Sequence, residues 1–191
     1  FLITMLLIGL ICLYQLNINT WFVAVSAIPL VILYPLAKRF TKWPQIILGL
    51  TFSWAVPTAW SAANEEWNLG IFFMYLATVF WIIGYDTIYG CQDKNEDEIF
   101  GIKNSAVSAK NFLTLFVGCS YSFMFCLLII SGYLLNNNIF WYIGVSICGL
   151  HLANQVRKIK NIEQNNPLQI FKSNIVLGLF LTLSSLGNHI S

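Results

Sequence analysis

Apolar runs long enough to cross a bilayer recur from one end of this chain to the other, and that repetition points to a multi-spanning membrane architecture. Seven segments stand out, at Phe1–Tyr14, Trp21–Ala37, Pro44–Ala62, Leu69–Tyr89, Phe112–Leu135, Ile139–Val156 and Ile170–His189. In lipid the backbone must satisfy its own hydrogen bonds. The expected fold class is therefore all-α, a transmembrane bundle with these seven segments as helices. A composition of 58% hydrophobic and 9% charged residues excludes a soluble globular protein. One transmembrane domain, 1–191, accounts for the whole length. The first segment is shorter than the ~20 residues that a bilayer requires. The chain also opens on Phe1 rather than Met, so the expectation is a domain truncated at its N-terminal side, cut inside a helix. A signal peptide does not fit this opening, which lacks a basic leader and a small-residue cleavage site.

Charge is distributed as sharply as hydropathy. The ten Lys and Arg residues are Lys38, Arg39, Lys42, Lys94, Lys103, Lys110, Arg157, Lys158, Lys160 and Lys172. All ten fall in the second, fourth or sixth gap between segments or just inside its edge, while Glu65 and Glu66 occupy the third. The positive-inside rule then makes the even gaps cytoplasmic. The alternation also supports the segment count, because a missed or invented helix would scramble it. No basic patch of the kind nucleic acid requires is present. The cysteines, Cys12, Cys91, Cys119, Cys126 and Cys148, form no CxxC pair and read as small apolar packing residues. His151 and His189 are isolated and read as structural.

A very hydrophobic helix meets water in the run YDTIYGCQDKNEDEIFGIKNSA, which holds Asp86, Asp93 and Asp97. At about 100° per residue, positions i+7 and i+11 each fall within about 20° of position i. A helix continuing through the run would present one acidic stripe with Tyr89 beside it, and such a stripe can chelate divalent cations. Asp93 to Glu98, five charges in six residues, can also be a solvated loop. Asp86 is harder to explain that way. It lies in or at the edge of a helix rich in Phe, Trp and Ile, where an unpaired carboxylate is costly and by default a metal or proton site.

The second gap reads YPLAKRFTKWPQ. Tyr34 and Pro35 close one helix, Lys38 and Arg39 follow, and Pro44 opens the next at a position where proline is tolerated. Lys38, Arg39 and Lys42 can serve as topology determinants near lipid headgroups. Across from carboxylates they can instead form salt bridges or surround an anion. Mg²⁺ takes one or two carboxylates plus substrate phosphate oxygens, and Lys or Arg holds the remaining oxygens. That combination suits a diphosphate leaving group.

These residues carry a resemblance. YDTIYGCQDKNEDEIFGIKNSA resembles the second aspartate-rich motif of the UbiA superfamily of intramembrane prenyltransferases, with Asp93 and Asp97 matching DxxxD and Asp86 with Tyr89 matching the preceding YDTxY. GIKNSA is similar to the GxKSTA of the 4-hydroxybenzoate polyprenyltransferases of ubiquinone biosynthesis, with Asn104 in place of Ser and Ser105 in place of Thr. YPLAKRFTKWPQ resembles the YPxxKRxTxxPQ of the same subgroup, and LGLTFSWAVPTAW fits after it.

The resemblance implies a nine-helix fold around a cavity open sideways to lipid, with the seven segments as helices three to nine. It implies Mg²⁺ as cofactor, and polyprenyl diphosphate and 4-hydroxybenzoate as substrates. The allylic diphosphate ionises and the ring captures the carbocation. By carry-over Asp93 and Asp97 bind Mg²⁺, and Asp86 acts near the metal or the acceptor. Lys38 and Arg39 face the diphosphate or the benzoate carboxylate, with Tyr34, Tyr89 and Lys103 as further substrate contacts. Trp54, Phe80 and Trp81 can line the cavity and stabilise a cation, although core packing also accounts for each. The location implied is a bacterial or mitochondrial inner membrane.

One departure matters. The family's first motif, NDxxDxxxD, has no counterpart, since the acidic residues outside the recognised loop are Glu65, Glu66 and Glu163. The expectation is a chain inactive alone, working with a separately encoded N-terminal part or left as a remnant. Two other readings are open: another UbiA branch, such as haem O, menaquinone or chlorophyll synthases, and a transporter using Asp86 as an ion site.

Overall fold

The computed structural model describes residues 2–63, 66–162 and 165–187. Glu65, Glu163 and His189 lie outside them. Among the described residues all regular structure is helical. α1 (Leu2–Tyr14) is followed by α2 (Ile18–Val25), α3 (Ile28–Phe40), α4 (Pro44–Ser53), α5 (Ala55–Ala62) and the unbroken α6 (Leu69–Tyr89). Two short helices, α7 (Lys94–Phe100) and α8 (Ser105–Ser108), precede α9 (Leu113–Leu134), α10 (Ile139–Ile159), α11 (Pro167–Lys172) and α12 (Asn174–Leu186).

Five stretches are long and apolar enough to cross a membrane: Ile18–Phe40, Leu69–Tyr89, Leu113–Leu134, Ile139–Ile159 and Pro167–Leu186. They correspond to five of the seven expected segments. Of the other two, α1 is a shorter apolar helix, and Pro44–Ala62 is divided into α4 and α5 at Trp54.

Asparagine starts several of these helices. Asn17, Asn68, Asn104, Asn138 and Asn166 each accept a hydrogen bond from a backbone N–H in the first turn that follows. Their side-chain oxygens satisfy donors that a helix start leaves without partners. Pro44 and Pro167 open α4 and α11 where a missing N–H costs nothing.

Pro35 does not close its helix as the sequence suggested. α3 runs through it to Phe40, so Lys38 and Arg39 form the last turn of α3 and face its negative dipole end. Pro35 removes one helical donor, a loss that membrane helices tolerate.

α6 is the most buried of the five spans and packs between α4 and α9. α10 lies against α9 and α12 against α10, while α11 returns to α6. The core runs through Ile88, Val117, Tyr121, Met124, Leu128, Trp141 and Leu177. Polar side chains tie the helices together: the Tyr121 hydroxyl donates to Gln155 Oε1 at 2.8 Å, Gln155 Nε2 to Ser173 Oγ at 2.9 Å, and Trp81 Nε1 to Asn174 Oδ1 at 2.9 Å. His151 Nε2 joins that group, 3.1 Å from Ser173 Oγ, which agrees with a structural role.

The cysteines divide. Cys148 is buried as a packing residue and Cys91 is half-buried, but Cys12, Cys119 and Cys126 are exposed on outer helix faces. Small apolar side chains are as acceptable on such surfaces as in a core, so hydropathy did not separate the two.

Loop contacts sort the gaps by end. The Asn17 amide donates to the carbonyl of Ser61 at 2.8 Å, Ser131 Oγ donates to that of Gly70, and Asn138 Nδ2 donates to that of Gly187. At the opposite end Lys103 Nζ donates to the Arg39 carbonyl at 3.1 Å and Ser108 Oγ to that of Lys42 at 2.8 Å. The Phe171 ring packs 4.9 Å from that of Tyr89 at this same end. The basic gaps thus gather at one end of the bundle.

Candidate active site

The site is built where the ends of α3 and α6 meet α7, α8 and the start of α4. Its acidic residues do not form the continuous helical stripe that their spacing allows. α6 stops at Tyr89, the chain turns through Gly90, Cys91 and Gln92, and α7 begins anew at Lys94. Asn104 supplies the physical reason. In a continuing helix the Gly90 carbonyl would accept from Lys94, but here it accepts from Asn104 Nδ2 at 3.1 Å. The turn is tightened by three-residue hydrogen bonds from Cys91 N–H to the Ile88 carbonyl and from Gln92 N–H to that of Tyr89.

Asp86 is therefore on α6 and half-buried, whereas Asp93 and Asp97 belong to α7. Asp93 is exposed at the N-cap position of α7, and its carbonyl accepts from the Asp97 N–H at 2.8 Å. The two carboxylates are one turn apart on the same helix face. α7 ends on Gly101 in the left-handed region at φ 67°, a conformation that other residues adopt only under strain.

Asn104 connects the site. Its Oδ1 accepts from Gln45 Nε2 at 3.1 Å and from Ala106 N–H at 2.9 Å. Its Nδ2 also donates to Asp97 Oδ2 at 2.8 Å. Gln45 Oε1 accepts in turn from the backbone N–H and the hydroxyl of Ser105. Gln45, Asn104 and Ser105 are all buried. This network ties the loop after α3 to the acidic loop after α6. A Cβ on Gly90 would lie 2.6 Å from Asn104 Oδ1, so the approach of this amide requires glycine there.

Around the network, the Gln45 side chain faces the Asp86 carboxyl and Lys38 attracts it electrostatically. Tyr34 lies near enough to feel the Asp86 charge. Lys38 and Arg39 are exposed. The Lys103 ammonium uses one of its three donors on the Arg39 carbonyl. Glu98 is paired with Lys110 at 2.9 Å, and that ammonium holds it below the usual carboxylate range. Burial pushes the Cys91 thiol up to about 11, so at neutral pH it is a protonated group hydrogen-bonded to the Thr87 carbonyl.

Among the described residues no three His, Cys, Asp or Glu side chains converge on one metal position. The donors that are present, Asp93 and Asp97, are hard carboxylate oxygens of the type that holds Mg²⁺ when phosphate oxygens and water complete the shell.

Below the carboxylates an aromatic path descends α6. Tyr89 and Tyr85 both pack on Phe171, at 4.9 and 5.5 Å, and Trp81 meets Tyr85 edge-on at 5.8 Å. Trp81 lines a cavity of about 320 Å³ with Tyr85 and Phe171, and a second of about 220 Å³ with Met74 and Trp141. Met74 and Trp141 also line a third, of about 760 Å³, toward the other end of the bundle. Trp54 and Phe80 are used for packing: the Trp54 indole donates to the Val23 carbonyl at 2.8 Å, and Phe80 stacks on Phe123.

The UbiA prenyltransferase family model matches residues 1–183. The chain belongs to this family. Among similar proteins, the mitochondrial 4-hydroxybenzoate polyprenyltransferase of Dictyostelium discoideum is 38% identical over 183 residues, covering 92% of this chain and 38% of the relative. The 4-hydroxybenzoate octaprenyltransferase of Francisella tularensis subsp. novicida (strain U112) is 35% identical over 188 residues, covering 98% of this chain and 66% of the relative. The chain therefore spans less than two thirds of the length of either. No solved structure matches it.

Gln45, Gly90 and Asn104 are the site residues that sequence reasoning left without a role. Gln45 ends the quoted basic motif, and Asn104 was visible only as a departure from Ser. Family membership does not by itself say that one of these side chains holds the other two.

Proposed function

We propose that this chain carries the diphosphate-binding end and the prenyl-chain cavity of a Mg²⁺-dependent enzyme that transfers a polyprenyl group to the ring of 4-hydroxybenzoate in ubiquinone biosynthesis. The observation that carries this reading is the Gln45–Asn104–Asp97 hydrogen-bond chain, which unites the basic and acidic loops above the aromatic path of α6. Lys38 and Arg39 hold diphosphate oxygens from the end of α3, with Tyr34 and Tyr89 at the edge of the same site. Asp93 and Asp97 hold the metal, and Asp86, set deeper on α6, orients the reacting end of the substrates.

Asp93 and Asp97 would hold a Mg²⁺ ion, which when bound would offset the charge that develops on the departing diphosphate. The carbon–oxygen bond breaks with its electron pair leaving on the diphosphate, the ring carbon forms the new bond, and the ring then gives its proton to the released diphosphate. Tyr85, Tyr89 and Trp81 present π-faces that favour the intervening cation. The loops act on the cytoplasmic side of a bacterial or mitochondrial inner membrane. Outside the recognised loop the chain has only Glu65, Glu66 and Glu163 as carboxylates, and a separately encoded N-terminal part would supply any further metal ligands.

The test uses membranes carrying the complete gene product, supplied with Mg²⁺, a polyprenyl diphosphate and 4-hydroxybenzoate. Product is expected only with Mg²⁺. Asp93→Asn and Asp97→Asn should each lower turnover about 100-fold, the scale of losing one charge-stabilising group. The 191 residues alone should give none. Product with a different acceptor only would reassign the chain to another branch, and Mg²⁺-independent or absent product would overturn the proposal.

A further inference from the structure

On the outer side of the α9–α10 pair lies a groove of about 740 Å³. Its α9 wall runs from Leu115 to Cys126 and its α10 wall from Gly149 to Lys160. Each wall covers about 16 Å of helix at ~1.5 Å per residue. One leaflet of the hydrocarbon core is about 15 Å deep, half of the ~30 Å span. Because the two helices are consecutive and antiparallel, Leu115 and Lys160 share one end of the groove, and it is the end where the basic gaps gather.

Along most of this length the walls are apolar or small. At the Leu115 end Arg157 and Lys160 line it, and no acidic side chain does. Apart from Tyr121, which packs against Gly84 of α6, the α9 wall is on the face turned away from α6: Val117, Met124 and Leu128 are buried toward the bundle, whereas Leu115, Cys119, Ser122 and Cys126 are exposed. Gly118 leaves the floor open, since a Cβ there would meet only Val156, at 3.7 Å.

The length of one leaflet, an apolar floor and two cations at headgroup depth complement an anionic lipid. We propose that this groove holds an acyl chain of an anionic phospholipid, with its phosphate between Arg157 and Lys160. A polyprenyl diphosphate has the same two chemical parts, but the Asp86 site is formed with Lys38 of α3 and Gln45 of α4, and none of these residues lines the groove. The groove does not depend on the catalytic reading.

The test is native mass spectrometry of the detergent-solubilised chain with equal amounts of phosphatidylglycerol and phosphatidylcholine bearing identical acyl chains. Phosphatidylglycerol adducts should exceed phosphatidylcholine adducts about tenfold or more, given about 1 kcal/mol for each cation near an anionic headgroup. The double variant Arg157→Gln/Lys160→Gln should bring the ratio close to one. Lys158→Gln should leave it unchanged, because Lys158 lines a separate small pocket with His151 and Asn165. Gly118→Leu, which fills the floor, should reduce phosphatidylglycerol binding with both cations in place. Equal binding of the two lipids, or a preference that survives the double variant, would overturn the proposal. So would displacement of phosphatidylglycerol by an equal amount of polyprenyl diphosphate, which would make the groove a substrate site.

Discussion

Asn104 uses its whole side-chain amide, with two bonds accepted by Oδ1 and two donated by Nδ2. Removing a partner from a buried polar group costs about 1–3 kcal/mol. Asn104→Ala leaves the Gly90 carbonyl and Gln45 Nε2 without this partner, so we expect it to destabilise the protein by about 2 kcal/mol or more. Gly90→Ala should come close to the same loss, because its methyl would displace the amide. Thermal unfolding in detergent measures both, and an unchanged midpoint for Gly90→Ala would mean that the amide is not held there. This level was the least legible in the sequence. Asp86, Asp93 and Asp97 stand out because carboxylates are rare in so apolar a chain, whereas an amide at a loop end looks like any turn residue until its partners are known.

At the scale of elements, most spans follow from hydropathy, and their ends agree with the sequence to within a few residues. The errors come from interactions between elements. α6 breaks at Gly90 because a side chain fourteen residues later takes its carbonyl. α3 continues past Pro35 because a helix in this setting tolerates one missing bond. Tyr121 and Gln155 join α9 to α10 through one buried hydrogen bond. Tyr121→Phe keeps the ring and removes the donor, so about 1 kcal/mol should be lost, the usual scale between membrane helices. A double-mutant cycle with Gln155→Leu, read by unfolding in mixed micelles, should return a coupling of the same size, and zero coupling would make the bond incidental.

For the whole molecule, the gathering of the basic gaps at one end makes orientation testable. With the native cysteines replaced by serine, a cysteine at Lys42 or Lys160 should react with an impermeant maleimide only from the cytoplasmic side, and one at Asn137 only from the other. Labelling of Lys42 and Asn137 variants from the same side would refute this topology. The amino-acid sequence by itself determined the class, the spans and the alternation of charge, because the transfer of apolar and charged groups between water and lipid depends on composition along the chain. The family was legible for a similar reason, since its motifs are local strings. The tertiary structure alone decided which acidic residues share a helix, which cations are exposed and which small side chain ties the loops together. Those outcomes depend on hydrogen bonds between residues far apart in the chain, 60 positions for Gln45 and Ser105 and 64 for Arg39 and Lys103, which local spacing does not encode.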